Sequence, residues 1–203
     1  VTVTAPTGIV DGELLYAGAL TNAGSTVTPP AGWTRLTDVN VNGSLSGVFW
    51  KLAASESGNY TFTGQSGCSI SAYILRISGV DGSNPINASN TGTGGASTAY
   101  SISGVTTTVA NTLLVQSIFW SNRARTISSI AVANGNPSWT NTQAIDNGFG
   151  AGQESDGSYT TAQATGSATA TFSGSTFWGG VIAAITPTQP SKNTGGMLMG
   201  MVN

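Results

Sequence analysis

Apolar residues in this chain come in runs of roughly five to eleven positions, each closed by a cluster of Gly, Asn, Asp, Ser or Pro. No stretch holds a 3.6-residue period beyond about two turns. That rhythm confines the chain to an all-β architecture. Leu14 to Leu20 and Leu113 to Trp120 are apolar or small on both parities, as in strands buried on two sides. Val48, Trp50 and Leu52 alternate against Lys51. In the segment Cys68 to Ile77, Cys68, Ile70, Ala72 and Ile74 share one face while Tyr73, Leu75 and Ile77 share the other. Trp33 to Val41, Asn59 to Thr63, Ala168 to Phe172 and Phe177 to Ile185 read as further strands, the last two joined by the turn Ser173-Gly174-Ser175. Residues 81–99 read as a long polar connection, and residues 121–166 as short strand pieces broken by Asn-Gly, Asn-Pro and Asp-Gly turns.

Roughly eight or more strands with long and short connections predict a single antiparallel β-sandwich of jelly-roll or Greek-key type over residues 1–187. Leu14, Trp33, Val48, Trp50, Ile74, Leu113, Val115 and Val181 are expected in its core. Pro187 and Pro190 end the last strand, because proline cannot donate to a ladder. Residues 188–203 then form an extended Pro/Gly/Met arm. Met197, Leu198, Met199, Met201 and Val202 gather every Met of the chain there, and unbranched Met side chains adapt to an irregular groove, so these five are expected to contact a partner.

Composition narrows the chemistry. Charged residues are 7% of the chain against a typical ~25%. Hydrophobic residues at 39% supply a core, which excludes the profile of disorder. With six basic and eight acidic residues, the net charge of −2 attracts no polyanion, so no nucleic acid partner is expected. No apolar run reaches the ~18–20 residues of a membrane helix, and the N-terminus lacks a signal-peptide pattern; no membrane partner is expected. The absence of His removes Ser-His-Asp and Cys-His catalysis and His metal ligands. The single Cys68 forms no internal disulfide and reads as a small buried residue.

Paired carboxylates are the one catalytic device left open. Most of the eight acids sit in turns beside Gly, and the closest pairs, Asp11/Glu13 and Glu154/Asp156, read as turn acids. Asp81-Gly82-Ser83-Asn84 and Glu154-Ser155-Asp156-Gly157 match no defined calcium loop. The chain is therefore expected to be no enzyme, with no catalytic residue, no metal and no cofactor. The local concentration Trp120-Ser121-Asn122-Arg123-Ala124-Arg125, together with Trp139, is the candidate surface or ligand contact: Trp120, Arg123, Arg125 and Trp139. Trp139, Phe149 and Tyr159 in loop-rich sequence suit a glycan-binding surface, and packing beneath loops is the commoner fate of such aromatics.

One ordered set of motifs carries a resemblance. Asp11-Gly12-Glu13-Leu14-Leu15 precedes Pro29-Pro30-Ala31-Gly32-Trp33-Thr34; Trp50-Lys51-Leu52-Ala53-Ala54-Ser55-Glu56 and Tyr60-Thr61-Phe62-Thr63 follow, then Ile77-Ser78-Gly79-Val80-Asp81 and Asn84-Pro85-Ile86. Over roughly residues 8–187 this resembles a diffuse group of tailed-bacteriophage virion β-sandwich proteins, found as capsid cement (decoration) proteins and in tail or fibre assemblies. The resemblance implies a structural virion protein without enzymatic activity. It most often implies a capsid cement protein on the outer shell surface, bound to the major capsid protein and commonly a homotrimer. The alternative is a tail-fibre or surface module that binds a receptor or glycan. No functional residue is carried over to a position here.

Overall fold

The computed structural model describes residues 1–135 and 137–188. Every regular element among them is a strand: β1 (Thr2–Val3), β2 (Leu14–Thr21), β3 (Thr34–Val41), β4 (Ser44–Leu52), β5 (Tyr60–Thr61), β6 (Ile70–Ile77), β7 (Ile86–Ile102), β8 (Thr112–Trp120), β9 (Ile127–Val132), β10 (Thr140–Asp146), β11 (Ala151–Tyr159) and β12 (Ala168–Ile185). All pairings are antiparallel. One sheet has the order β3-β4-β2-β6, and a larger one the order β10-β11-β8-β12-β7, with β9 also on β12 and a small β1-β5 pair outside both. The all-β expectation holds. The arm with Met197, Leu198, Met199, Met201 and Val202 lies outside the described residues.

Two-sided burial explains why the stack is thicker than two layers. The odd positions of β8 (Val115, Phe119) and β12 (Val181, Ala183, Ile185) face Leu14, Tyr16, Leu20, Val48, Tyr73 and Leu75 of the smaller sheet, making the inter-sheet core. In its middle the Tyr73 hydroxyl donates to Ser117 Oγ at 2.8 Å, and the Tyr16 hydroxyl lies 3.1 Å from the same oxygen. The even positions of β8 and β12 (Leu114, Ile118, Trp120, Trp178, Ile182, Ala184) build a second core on the opposite face.

That second core is closed by the chain folding over itself. β7 and β12 are 17 and 18 residues long, and their pairing shifts register between Thr171 and Thr176. One half of the β7–β12 ribbon lies in the large sheet. The other half, with β9, bends across as a flap that brings Tyr100, Ile102, Ala168, Ala170, Phe172 and Val132 over Ile118 and Ile182. The bend needs backbone without side chains: a Cβ at Gly94 would lie 2.3 Å from the Trp178 ring, and one at Gly92 would lie 2.6 Å from Ile102.

Two expectations are corrected here. Residues 81–99 are not a connection, since β7 begins at Ile86. Ser173-Gly174-Ser175 is not a turn but an irregularity inside one continuous strand, held by Ser173 N–H donating to the Thr126 carbonyl at 2.9 Å.

A third core covers the outer face of the smaller sheet. Leu15, Ala17, Ala19, Phe49 and Ile74 pack there beneath Val27, Trp33, Tyr60 and Phe62. Trp33 meets Tyr60 and Phe62 edge-on, at 5.3 and 5.8 Å between centroids. Trp33 and Ile74 are thus core residues of this outer layer, while Trp50 and Leu113 are half-buried against the inter-sheet core. Cys68 precedes β6 and is half-buried, correcting its expected place inside a strand.

Glu56 fastens this layer: Lys51 Nζ lies 2.6 Å from its Oε1, the Tyr60 hydroxyl donates to Oε2 at 2.7 Å, and Ala54 N–H to Oε1 at 3.1 Å. Burial pushes the carboxyl up, but these hydrogen bonds and the Lys51 charge outweigh it and hold Glu56 below its ordinary 4.5. A carboxyl depressed in the folded state contributes stability above its unfolded pKa, and that stability is lost as pH falls through the folded value. Glu56→Gln is therefore expected to flatten the fall in urea midpoint from neutral pH down through the acid range. An unchanged pH profile would refute the assignment.

Candidate functional site

β8 ends at Trp120, which is in register with Trp178 of β12 on one side and Ala151 of β11 on the other. Beyond it, Ser121 N–H donates to the Phe177 carbonyl at 3.1 Å. Asn122 then turns the chain, accepting Ala124 N–H on its side chain at 3.1 Å and Arg125 N–H on its carbonyl at 3.0 Å. This turn throws Arg123 and Arg125 to opposite fates. Arg123 reaches across to the β10–β11 turn, with Nε 3.2 Å from Asp146 Oδ2 and a longer bond to the Gly148 carbonyl. Both members are about half exposed, so the pair contributes on the order of 0–1 kcal/mol. Arg125 lies instead across the bend of β12, where a Cβ at Gly174 would come within 2.6 Å of its guanidinium carbon.

The β10–β11 turn is itself fastened to the other sheet. Asn147 Oδ1 accepts the N–H groups of Phe149 and Gly150, and Gly148 takes a φ of 87° that glycine adopts freely. The Ser69 and Ser71 hydroxyls donate to the Asn147 and Asp146 carbonyls at 2.7 and 2.5 Å.

Two clefts flank Trp120. One, of about 350 Å³, opens at the mouth between the sheets and is lined by Asn22, the Asn42 turn, Ser121, Asn147 and Phe149, the last 63% exposed. Asn42 and Gly43, with φ of 53° and 87°, form the two-residue hairpin that shapes its rim. The other, of about 320 Å³, lies on the flap side between β9 and the edge of the large sheet, lined by Trp120, Arg125, Ile127, Ala144, Asp146 and Gln153 among others.

Of the three candidates at the end of β8, Trp120 and Arg125 line the flap-side cleft together, whereas Arg123 turns away to Asp146. Trp120 is only 4% exposed and is a wall of the core rather than a surface stacking platform. Trp139 does not join them. It precedes β10, whose other end carries Asp146 seven residues on, roughly 20 Å away at strand rise. There it is half-buried against the flap core. Tyr159 is 1% exposed and donates to the Asn134 carbonyl at 2.8 Å, so Trp139, Phe149 and Tyr159 make no common surface. Asp146, Gln153, Asn147 and Phe149 had no sequence signal linking them to Trp120; only strand pairing does so.

Four of the described acids have local partners. Glu13 pairs with Arg76 at 3.1 Å and accepts Val10 N–H, Asp11 accepts Ser55 N–H, Asp38 pairs with Arg35, and Asp81 accepts the N–H groups of Ser83 and Asn84. The Glu154 side chain lies outside the description. Among the described residues no three His, Cys, Asp or Glu side chains cluster as a metal site, and no helix is long and apolar enough to cross a membrane. No protein-family model matches this chain, no curated protein is significantly similar to it, and no solved structure matches it significantly.

Proposed function

We propose that this chain is a structural component of a bacteriophage particle, without catalytic activity, acting as a cement protein on the outer capsid surface. It binds the major capsid protein there as a homo-oligomer, with a trimer the favoured state. The observation that carries the reading is β7. This strand of 17 residues forms one edge of the large sheet, and from Ile86 to Ile102 it contains no Asp, Glu, Lys, Arg or Pro. Proteins that live alone blunt such an edge with charge, proline or a cover, because its unpaired backbone groups otherwise recruit another chain. A long, uncharged, Ser/Thr/Asn-rich edge suits a protein whose working state is an assembly. Scarce Lys and Glu also mean little side-chain entropy lost when its surfaces are covered.

The motifs that carry the family resemblance support the same reading, because they serve architecture: Trp33, Tyr60 and Phe62 lock the outer core and Glu56 fastens it. The test is cosedimentation with shells of the phage whose genome encodes the chain. The expected result is saturable binding at a fixed ratio and a higher rupture temperature for the decorated shell. Lysines at the exposed Thr93 and Thr98 of β7 are expected to weaken assembly while leaving the circular dichroism spectrum unchanged. A chain that stays in the supernatant at all concentrations overturns the proposal.

A further inference from the structure

Thr188, the last described residue, leaves the fold at the end of the sheets where Leu14 pairs with Ile77. Its N–H donates to the Gly79 carbonyl at 2.7 Å, Asp81 N–H donates to the Thr186 carbonyl at 2.9 Å, and Pro187 stands opposite Val80 between them. Hydrogen-bonded and non-hydrogen-bonded pairs alternate along an antiparallel ladder, so Pro187 stands where no ladder N–H is called for. Continued along β6 in the same register, the next bonded pair would set residue 190 against Ile77, and residue 190 is a proline with no N–H to give. Gly79, at a φ of 70°, also turns the chain out of line there. Farther along, the outer side of β6 is already taken, because the Ser69 and Ser71 hydroxyls donate to the Asn147 and Asp146 carbonyls. The fold therefore steers the chain after Thr188 away from the edge of its own sandwich.

The opposite end of the sheets offers a receptor. The cleft of about 350 Å³ opens there, with the buried Leu20, Val41 and Trp120 in its lining and the exposed Phe149 at its rim. Phe177, whose carbonyl accepts from Ser121 of the same cleft, is exposed as well. Two of the four large apolar side chains left exposed among the described residues thus stand beside one opening. We propose that this cleft receives the Met-rich segment 197–202 of a second copy of the chain; the inference rests on the homo-oligomer proposed above and names its contact. Unbranched Met side chains fit an irregular cleft, and their sulfurs make favourable contacts with aromatic rings such as Phe149. Neither the lining nor the segment carries a charge, so docking strips no ion of its water. The volume stands at the lower end of small-molecule sites, which suits inserted side chains rather than a folded partner. The eight residues of β2 separate the two ends by roughly 25 Å. From Thr188 to Met197 the chain reaches at most about 30 Å. A copy would therefore meet its own cleft only along the straight path that Pro190 and the β10–β11 turn interrupt. Giving at one end and receiving at the other makes the contact heterologous, and three copies so joined close into a ring.

The experiment places the photoreactive residue p-benzoylphenylalanine at position 149 of the full chain. After irradiation the products are separated on a denaturing gel and the linked peptides are mapped. Covalent dimers and trimers whose links fall within residues 197–202 are the expected result. Phe149→Ser, at an exposed position, is expected to leave the circular dichroism spectrum unchanged and to weaken assembly in sedimentation about tenfold or more, the worth of burying a Phe side chain. A link to residues 197–202 confined to the monomer band would mean that each copy keeps its own segment, and overturns the proposal. Links between copies that map elsewhere, the absence of any link to residues 197–202, or an unchanged association constant in Phe149→Ser also overturn it. Shell binding is read separately. A chain that decorates shells without a link from position 149 overturns this inference alone, and a chain linked between copies that ignores shells overturns the capsid reading alone.

Discussion

Replacing Phe119 with alanine is expected to cost about 3–5 kcal/mol, a large part of the ~5–15 kcal/mol that holds a domain folded. Phe119 is fully buried on β8, the strand between β11 and β12, and it faces the smaller sheet across the inter-sheet core. It also fills the place of a missing side chain on the neighbouring strand, since a Cβ at Gly152 would come within 2.8 Å of its ring. Truncation therefore opens a cavity that neither sheet closes by a small shift, because both are pinned by their own ladders. Chemical unfolding measures this as a lower midpoint with an unchanged slope. A loss below about 1 kcal/mol would mean that the two sheets do not pack through Phe119.

Gly180→Ala is the second substitution with a large expected effect, and it acts by overpacking. The added Cβ would sit 2.2 Å from the Tyr100 hydroxyl oxygen and 2.5 Å from a ring carbon. Tyr100 has little room to retreat. It is 1% exposed, stands edge-on to Trp178 at 4.8 Å, and Trp178 is itself pressed against Gly94. Burial holds the Tyr100 phenol far above its ordinary pKa, only partly offset by the Gln116 amide beside it, so ionisation gives no way out. A cost of about 1–3 kcal/mol or somewhat more follows. It should concentrate in the flap, visible as faster amide exchange in residues 97–102 and 168–172. The double change Gly180→Ala with Tyr100→Leu is expected to cost less than the sum of its parts, the signature of a direct clash. Strict additivity would place the cause elsewhere.

Strands buried on two sides were legible because apolar residues filled both parities: β2 and β8 could be read almost to the residue. β7 was not legible, and the reason is physical. An edge strand with exposed side chains carries no hydrophobic alternation, and its Gly, Ser, Thr and Asn favour turns as much as strands. Its conformation is imposed by pairing with β12, a partner some eighty residues away whose register no local pattern announces. Ser173-Gly174-Ser175 misled for the opposite reason. It has the composition of a turn, but β9 and Arg125 lie along it and keep the strand running through. At the candidate site, Arg123 and Arg125 were legible as the one local concentration of charge. What separates them, a matched exposed acid for the first and a glycine platform for the second, depends on β10 and β12 and so on the finished fold.

β12, the last strand among the described residues, is also the one on which two of their three cores depend. On a ribosome, β2, β3, β4 and β6 can pair as soon as Ile77 has emerged, and the outer core can close over one face of their sheet. Their other face, with Leu14, Tyr16, Leu20, Val48 and Leu75, has nothing to rest on until β8 and β12 arrive. At ~5–20 residues per second that wait lasts on the order of ten seconds. Throughout it the nascent chain displays a half-finished apolar sheet, which makes it a natural client for a holding chaperone. Yield in a cell should therefore follow translation speed between Ile77 and Ile185 more closely than the stability of the finished molecule.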